Sequence, residues 1–432
     1  MGIHTISCQE WYHLKDYLQM IKKQFAQNSH FTTLAKSIKG GSMLTKMVCA
    51  ALLLTGLNLN AETSPEQLDI RIPVVDMQDF YNPEKQEHFI NTLYGALTEI
   101  GFFAVRNTGV DREVIRSAYA QAETFFKKDD EFKAKNFVQE SKGQRGFIPG
   151  EIAKGHRAKD FKEFYHIGRE RPLEELKQLS LHPNVWPDQD VFKEAMTTLY
   201  TELEKYVVPL QEAIVMTINR NASMKIAPDT FHQMTKNGDT LLRALYYPAL
   251  TKEQINKLEQ PLFWAAEHTD IDLLAILPFA TEKGLQIQLD GQWLNVIVPD
   301  DAFIVNAGDM LRNLTNGLVV SARHRVMAQE PNKSRFSMVL FVHPTSSTSL
   351  APFAGCIEQT GGVQKFAPGT RQEFLWERLL ELNIAPMLIE PYSKTGHTER
   401  QLQYGKESPQ VVQLLIDHSL ASEELLQALR SR

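Results

Sequence analysis

The stretch GLQIQLDGQWLNVIVPDDAFIVNAGD, residues 284–309, decides the fold class. Apolar and polar residues alternate in two short runs on either side of Asp290 and Gly291, a residue pair typical of a tight β-hairpin turn. Another apolar run, AFIVNA (302–307), follows a second turn signal. Short strands separated by turns in this way predict a β-sandwich, a jelly roll or a barrel.

The same strand pattern extends over about residues 241–345, whereas helical spacing dominates on both sides of it. Further strand candidates are IPVVDMQDF (72–80), GFFAVR (101–106), LLRALYYP (241–248), DLLAILPF (272–279), HRVMA (324–328) and RFSMVLFVHP (335–344). Helices are expected at 83–100, after an N-cap at Asp111, from the end of NVWPD (184–188) to about 219, at 371–383 and at 409–420. The segments 143–155 and 393–408 are expected to be loops.

The composition is that of an ordinary globular protein and excludes some functions. The 432 residues are 43% hydrophobic and 23% charged, and the net charge of -6 argues against a basic nucleic-acid footprint. No apolar run has the length of a membrane-spanning helix. Cys8, Cys49 and Cys356 have no metal-type spacing and cannot form a disulfide framework. The expected partner is a small-molecule substrate, and the expected oligomeric state is a monomer or a weak oligomer.

The first 61 residues differ from the rest of the chain. Lys46 precedes an apolar block at 47–57, and small and polar residues then lead to Ala61. This layout is typical of a secretory signal at 43–61 inside an N-terminal extension, residues 1–61. It predicts an exported or periplasmic protein if translation begins at Met43. The alternative is an amphipathic or buried segment in a cytoplasmic protein.

The chemistry of the chain is indicated by AAEHTDIDLLAIL (265–277), in which a histidine and a carboxylate precede an apolar run. On a strand, residues i and i+2 point to the same face, so His268 and Asp270 would meet at one point. A further histidine, His324, follows a turn-rich segment. Two histidines and one carboxylate match the facial triad that holds non-haem Fe(II) and leaves coordination positions open.

A second pair of residues indicates a binding site for a carboxylate. Arg335 and Ser337 are again at i and i+2, so a guanidinium and a hydroxyl would project from the same strand face. A guanidinium forms two parallel hydrogen bonds to a carboxylate. An arginine among the apolar residues 336–342 would be costly without an anionic partner, which a protein carboxylate could also supply.

These motifs together resemble the 2-oxoglutarate/Fe(II)-dependent dioxygenases of the isopenicillin N synthase-like type. The pieces that match are IPVVD (72–76), GFFAVRNTGV (101–110), RGF (145–147), NVWP (184–187), YYP (246–248), HTD (268–270), GLQI (284–287), DGQW (290–293), VNAGDML (305–311), LTNG (314–317), HRV (324–326) and RFS (335–337). The resemblance covers about residues 70–350. It departs from the family pattern at Thr108, Leu245 and Val320, which indicates a divergent member.

The resemblance implies a fold, a reaction and residue roles. The fold would be a mainly β double-stranded β-helix, or jelly roll, with flanking helices. Residues 70–230 would form an N-terminal helical and strand region, 240–350 the jelly-roll core and 351–432 a C-terminal helical segment. The implied cofactors are Fe(II), 2-oxoglutarate and O2, and the implied reaction is hydroxylation, desaturation or cyclisation of a small organic substrate with release of succinate and CO2.

The implied residue roles follow the family motifs. The iron ligands would be His268, Asp270 and His324; the residues that bind 2-oxoglutarate would be Arg335, Ser337 and Tyr247. Asn306 and Asp309 are expected to support the fold of the strand and turn rather than the chemistry. Candidates for the substrate pocket are Arg145, Phe147, Phe164, Tyr165, Arg243, Trp264 and Phe341.

Three other functions remain open at the level of the sequence. An oxidase of the same fold would use O2 without 2-oxoglutarate and could keep the Arg335 and Ser337 pair. A metal-binding or sensor module would keep the jelly roll without catalysis. A zinc hydrolase could use the same three ligands, although it would have no evident need for a carboxylate clamp.

Overall fold

The computed structural model of the protein describes residues 68–431 except 142, 151–159, 189, 223–224 and 256–262. The predicted signal at 43–61 therefore lies outside the described residues. Within the described part, the strands are β1 Asp69–Arg71, β2 Val74–Asp76, β3 Phe102–Arg106, β4 Gly146–Ile148, β5 Glu163–Gly168, β6 Leu241–Tyr247, β7 Ala265–His268, β8 Leu274–Leu277, β9 Leu285–Leu289, β10 Gln292–Ile297, β11 Phe303–Ala307, β12 His324–Val326 and β13 Arg335–Val342.

Helices precede, interrupt and follow these strands. They are α1 Met77–Phe80, α2 Gln86–Gly95, α3 Arg112–Phe126, α4 Asp130–Ala134, α5 Leu173–Gln178, α6 Asp190–Ala222, α7 Thr230–Thr235, α8 Lys252–Ile255, α9 Asp309–Leu314, α10 Ala354–Gln359, α11 Arg371–Glu381, α12 Ile389–Ser393, α13 His397–Gln403, α14 Pro409–Asp417 and α15 Glu423–Arg430. A π-helical segment, Ala96–Ile100, continues α2.

The strands form two sheets that enclose a common core. The smaller sheet has the order β1-β10-β9-β12-β7, and the larger has the order β2-β3-β11-β8-β13-β6-β5-β4. The pairs β1–β10 and β2–β3 are parallel, and the other strand pairs are antiparallel. Apolar residues from both sheets, such as Ile287 and Ala275, pack in one buried cluster. The jelly-roll prediction is confirmed.

The side chains of β13 show that the larger sheet is covered by helices on one face and by the smaller sheet on the other. Phe336, Met338 and Leu340 pack in the cluster formed with the helices, whereas Val339 packs in the cluster between the sheets. This alternation follows from the two-residue period of a strand. Arg335 and Ser337, at odd positions like Val339, therefore project into the space between the two sheets.

The turn and the cap predicted from the sequence are both present. Asp290 and Gly291 have positive φ angles of 49° and 77° and connect β9 to β10, as a type I′ turn requires. Asp111 caps α3, since its side chain accepts a hydrogen bond from the backbone N–H of Glu113. The buried face of α3 consists of Ile115, Ala118, Tyr119, Ala122, Phe125 and Phe126.

Three expectations about local structure need correction. The segment 143–155 was expected to be a loop but contains β4, which pairs with β5 at the edge of the larger sheet. The segment 393–408 contains α13, whose residues His397 and Gln401 are buried. The strand expected over 72–80 ends at Asp76, which instead caps the short helix α1.

The regions before and after residue 240 share one sheet. Strands β2 to β5 come from the N-terminal region, and they flank the core strands β11, β8, β13 and β6. The C-terminal helices have a smaller apolar cluster of their own, which includes Leu379, Leu388, Tyr392 and Val411. Among the residues that the structure describes, no helix combines the length and the apolar character needed to cross a bilayer.

Candidate metal centre

The centre begins with two histidines that face each other across a strand pair. His268 ends β7 and is directly opposite His324, the first residue of β12, with 4.3 Å between the ring centroids. Nδ1 of His268 lies 2.7 Å from the carbonyl oxygen of Ala266, and Nδ1 of His324 lies 3.2 Å from that of Ala322. Because a carbonyl can only accept, each Nδ1 carries the proton. Each Nε2 is left with a lone pair for a metal ion.

The third member of the centre is Asp270, which lies beyond the end of β7. The expectation that His268 and Asp270 share a strand face is wrong, because β7 ends at His268. The turn after β7 nevertheless brings the carboxylate to the imidazoles. Its oxygens lie 3.6 Å from Nε2 of His268 and 3.7 Å from Nε2 of His324.

The three side chains fit a divalent metal ion. One candidate ligand atom from each residue lies within 4.8 Å of the other two. Two imidazole nitrogens and one carboxylate oxygen are the donor set of the Fe(II) facial triad, which leaves positions open for O2 and a co-substrate. The structure thus brings together the three residues that the sequence analysis selected.

The surroundings keep His268 and Asp270 in the protonation states that bind a metal. Burial, with a further contribution from His324, lowers the pKa of His268 to about 3, so its imidazole is neutral. Burial alone would raise the pKa of Asp270, but His324, His268 and the hydrogen bond from Asn306 lower it below its ordinary value. A neutral imidazole and an ionised carboxylate are the forms that ligate a metal.

The turn between β11 and α9 holds Asp270 in position. Nδ2 of Asn306 donates a hydrogen bond of 2.9 Å to Oδ2 of Asp270, and the backbone N–H of Asp309 donates to the Asp270 carbonyl at 2.7 Å. Thr269 donates from its hydroxyl to the Asp309 carboxylate at 2.9 Å. Asn306 and Asp309 therefore both support the segment that carries the centre, and Asn306 does so through the carboxylate of Asp270 itself.

A second carboxyl group beside the centre was missed by the sequence analysis. Asp272 is fully buried, and neither of its carboxyl oxygens has a hydrogen-bond partner in the described structure. Burial, together with Asp270 and Asp309, raises its pKa well above the ordinary value. The only signal in the sequence was the repeated spacing in HTDID (268–272).

Arg335, Ser337 and Tyr247 lie on one face of the β6–β13 ladder. Arg335 is directly opposite Tyr247, and its guanidinium carbon lies 5.0 Å from the centroid of the tyrosine ring. Nε of Arg335 donates to the Glu282 carbonyl at 2.9 Å, whereas its buried Nη1 has no hydrogen-bond partner in the described structure. Arg335 and Ser337 are each 4% exposed. A buried guanidinium with an unsatisfied nitrogen fits a ligand carboxylate.

A cavity of about 120 Å³ opens beside His268 and Asp270. Phe164, Arg243 and Phe341 line it, as the sequence analysis proposed. The other pocket candidates lie elsewhere: Phe147 and Tyr165 are in the core under the helices, Trp264 is between the sheets, and Arg145 is buried beside Asp239.

The opposite wall of the cavity comes from helix α11. Leu375, Arg378 and Leu379 face the cavity from this helix. Arg378 also donates to the Asp309 carboxylate at 3.3 Å, so the helix is linked to the turn that holds Asp270. Sequence reasoning could not assign this wall, because the helix follows the centre in the chain and nothing in its pattern identifies its partner.

Comparison with known proteins agrees with this geometry. The family description "non-haem dioxygenase in morphine synthesis N-terminal" matches residues 72–189, and that of the 2OG-Fe(II) oxygenase superfamily matches residues 238–344. The 2-oxoglutarate-dependent dioxygenase caaD of Aspergillus niger is 30% identical over 285 residues, which cover 63% of this chain and 84% of that protein. This chain belongs to the 2-oxoglutarate/Fe(II)-dependent oxygenase superfamily.

Two solved structures show the same fold. A putative 2OG-Fe(II) oxygenase family protein from Caulobacter crescentus superposes with a TM-score of 0.60 at 29% identity, over 71% of this chain and 98% of that one. A full-length Neurospora crassa protein, in complex with alpha-KG and 5-formyluracil, superposes with a TM-score of 0.61 at 24% identity, over 73% of this chain and 97% of that one. The protein is an oxidoreductase of the dioxygenase class, with Fe(II), 2-oxoglutarate and O2 as its cofactors and co-substrates.

Proposed function

We propose that His268, Asp270 and His324 hold the Fe(II) ion and that Arg335, Ser337 and Tyr247 hold 2-oxoglutarate. The chain would then oxidise a small organic substrate by hydroxylation, desaturation or cyclisation. In hydroxylation, one oxygen atom of O2 enters the substrate and the other enters succinate, while 2-oxoglutarate loses CO2. In desaturation or cyclisation, the substrate loses two hydrogen atoms, one oxygen atom of O2 again enters succinate, and the other leaves with the two hydrogen atoms as water.

The observation that carries the proposal is the pairing of an open three-ligand centre with an unsatisfied buried arginine. The three ligand atoms lie within 4.8 Å of one another, and Nη1 of Arg335 has no hydrogen-bond partner in the described structure. Bound Fe(II) supplies the redox chemistry that activates O2. A zinc hydrolase or a passive metal site would leave the buried cation of Arg335 unexplained.

The residues of the chain contribute binding, orientation and exclusion of water. The backbone carbonyls of Ala266 and Ala322 fix the two imidazoles, and Asn306 fixes Asp270. Arg335 would hold the distal carboxylate of 2-oxoglutarate, with Ser337 as a further donor, while the Tyr247 ring packs against the guanidinium. Holding both reactants in a buried site lowers the entropic part of the barrier.

Anaerobic titration of the purified protein with Fe(II) and 2-oxoglutarate tests this assignment. The ternary complex should form a visible charge-transfer band, and a subsequent screen of small organic molecules under O2 should find one that stimulates succinate release. His268→Ala should abolish the band while the melting temperature stays near that of the metal-free parent. Turnover supported by Zn(II), or oxidation without consumption of 2-oxoglutarate, would contradict the proposal and support the hydrolase or the oxidase.

We also propose, from the sequence alone, that the protein is exported after cleavage behind Ala61. The support is the basic residue Lys46, the apolar block at 47–57 and the small residues that follow. N-terminal sequencing of the protein from its native host should find Glu62 first. Recovery of residue 1 from that host would contradict export and would favour the cytoplasmic alternative.

A further inference from the structure

The strand that carries His268 is irregular just before this histidine. His268 pairs with His324 and Ala265 pairs with Val326, so β7 has one more residue than β12 between these two pairs. Such a β-bulge leaves the extra residue unpaired in the ladder and changes the direction of the side chains that follow it. The position of the His268 imidazole therefore depends on how the bulge is held.

Strand β7 is also an edge strand of the smaller sheet. In the described part of the chain it pairs with β12 alone, whereas β12 pairs with both β7 and β9. His324 on β12 is thus held by ladders on both sides of its strand, and His268 on β7 by a ladder on one side. The open edge of β7 needs hydrogen-bond partners from outside the sheet.

The segment that leads into β5 supplies these partners. The backbone N–H of Phe161 donates to the Phe263 carbonyl at 3.0 Å, and the backbone N–H of Ala266 donates to Oδ1 of Asp160 at 3.0 Å. Ala266 is the residue that follows Ala265 at the bulge, so Asp160 accepts a hydrogen bond from the irregular part of the strand. Because β5 belongs to the larger sheet, the segment also connects the two sheets.

The same residue, Ala266, holds the imidazole of His268. Its carbonyl oxygen lies 2.7 Å from Nδ1 of His268, which donates to it. One residue of the bulge therefore donates to Asp160 and accepts from His268. A carboxylate that fixes this backbone also fixes the direction of the carbonyl, and with it the ring orientation and the tautomer that leaves Nε2 for a metal ion.

Lys162 makes the burial of the Asp160 carboxylate possible. Its Nζ lies 2.9 Å from Oδ2 of Asp160, and each of the two side chains is 4% exposed. A buried carboxylate is costly without such a partner. The two carboxylate oxygens thus have separate roles, since Oδ2 faces the lysine and Oδ1 accepts from Ala266. A hydrogen bond to an ionised acceptor is stronger than one to a neutral acceptor.

We infer that Asp160, paired with Lys162, is a positioning residue of the metal centre, which fixes the bulge of β7 so that His268 keeps the orientation and tautomer required of a ligand. Asp160 acts through the backbone of Ala266. The inference rests on the proposed function and adds to that site a residue from the N-terminal region, which precedes the jelly-roll core in the chain.

Two double variants isolate the hydrogen bond from the ion pair. The amide variant combines Asp160→Asn with Lys162→Met, and the apolar variant combines Asp160→Leu with Lys162→Met. Both variants lose the buried charges and every other contact of the Lys162 ammonium. Only the amide variant keeps an oxygen that can accept from the Ala266 N–H.

Anaerobic titration with Fe(II), in competition with a chromophoric chelator, compares the two variants. The amide variant should bind Fe(II) with a dissociation constant within a few-fold of the wild type. The apolar variant should bind about 10- to 100-fold more weakly, as expected when the support of a metal-bound histidine is removed. Equal Fe(II) affinities of the two variants would overturn the inference.

The tautomer of His268 gives a second measurement, which needs no metal. In metal-free protein with 15N-labelled histidine, NMR should show the proton on Nδ1 of His268 in the wild type and in the amide variant, and a mixture of both tautomers in the apolar variant. His268→Gln identifies the signal. A purely structural role would lower the melting temperature of the apolar variant but leave its tautomer and its Fe(II) affinity unchanged, and this result would overturn the inference.

The wild-type protein separates failure of this inference from failure of the proposed function. A wild type that forms no charge-transfer band with Fe(II) and 2-oxoglutarate overturns the proposed function. A normal band in the wild type, with equal Fe(II) affinities in the two double variants, overturns the positioning role alone. A higher KM for the substrate in the apolar variant, at unchanged Fe(II) affinity, would assign Asp160 to the substrate pocket instead.

Discussion

Arg335 is a buried cation that the described protein groups satisfy only in part. It is buried, its Nε has a carbonyl partner, and its Nη1 has none in the described structure. A charge in this state is stabilised by a bound anion. The arginine was predicted from RFS (335–337) because the two-residue period of a strand suffices to place its side chain beside that of Ser337.

Replacing Arg335 should weaken the binding of 2-oxoglutarate. Removing one partner of a buried charged pair costs about 2–5 kcal/mol, so the dissociation constant of Arg335→Ala should rise at least about 30-fold. The dissociation constant of Arg335→Lys should lie between those of the wild type and Arg335→Ala, because a lysine keeps the positive charge but cannot form two parallel hydrogen bonds to a carboxylate. Anaerobic titration of the charge-transfer band measures both. Unchanged affinity in Arg335→Ala would move the co-substrate site elsewhere.

His343 should make the stability of the fold sensitive to acid. Burial, with Arg371 as the next cause, lowers its pKa from 6.5 to about 3. Between these pH values the unfolded chain binds a proton that the folded protein excludes, so stability falls as the pH falls from 6.5 toward 3. The slope from this one group is at most about 1.4 kcal/mol per pH unit.

The variant His343→Gln should therefore lose less stability than the wild type when the pH is lowered from 6.5 to 4.5. Urea unfolding at several pH values measures the difference. His418→Gln, at an exposed position after α14, is the matched control and should follow the wild type. Identical pH dependence in His343→Gln and the wild type would mean that His343 is protonated in the folded protein as well.

At the scale of elements, the turn between β11 and α9 shows what the sequence could and could not predict. VNAGD (305–309) predicted a strand and a turn correctly. The hydrogen bonds from Asn306 and Asp309 to Asp270 were not predictable, because they join segments that only the completed sheet brings together. The same holds for β4, whose strand conformation depends on its partner β5.

Asn306 should determine how tightly the centre holds its metal. It donates to Oδ2 of Asp270 at 2.9 Å, and such partners of a ligand typically contribute 10- to 100-fold to metal affinity. Anaerobic titration of Asn306→Ala with Fe(II) should show a loss of about that size. Asn313→Ala, on the adjacent helix α9 with its amide bonded to the Leu350 carbonyl, is the control and should keep the metal affinity. Equal Fe(II) affinity in Asn306→Ala and the wild type would contradict a role of Asn306 in positioning Asp270.

At the scale of the whole molecule, the ligands and the cavity wall come from different parts of the chain. The proposed iron and 2-oxoglutarate ligands all lie on strands or turns of the jelly roll, between Leu241 and Val342. One wall of the cavity comes from α11, whose C-terminal half belongs to the separate apolar cluster of the C-terminal helices. Local sequence patterns predict the ligands on the jelly roll well. The cavity wall cannot be predicted in this way, because it depends on how helices distant in the sequence pack.

A chain that ends at Thr370 should separate the contribution of the jelly-roll ligands from that of the cavity wall on α11. The shortened protein should bind Fe(II) and 2-oxoglutarate anaerobically with dissociation constants within a few-fold of the wild type, because no proposed ligand is removed. Succinate release without a substrate should rise relative to release stimulated by a substrate, because water enters the open site.

Leu375→Asp provides the same test in a full-length chain, because this residue lines the cavity from the partly buried face of α11. A carboxylate at this position should reduce substrate-stimulated succinate release about tenfold or more, because it places a charged group in the apolar part of the cavity wall, while the charge-transfer band with 2-oxoglutarate stays unchanged. The matched control is Val363→Asp, at an exposed position outside the cavity, which should release succinate as the wild type does. If Leu375→Asp loses the 2-oxoglutarate band but keeps the wild-type melting temperature, the C-terminal helix supports the metal centre itself rather than the substrate pocket.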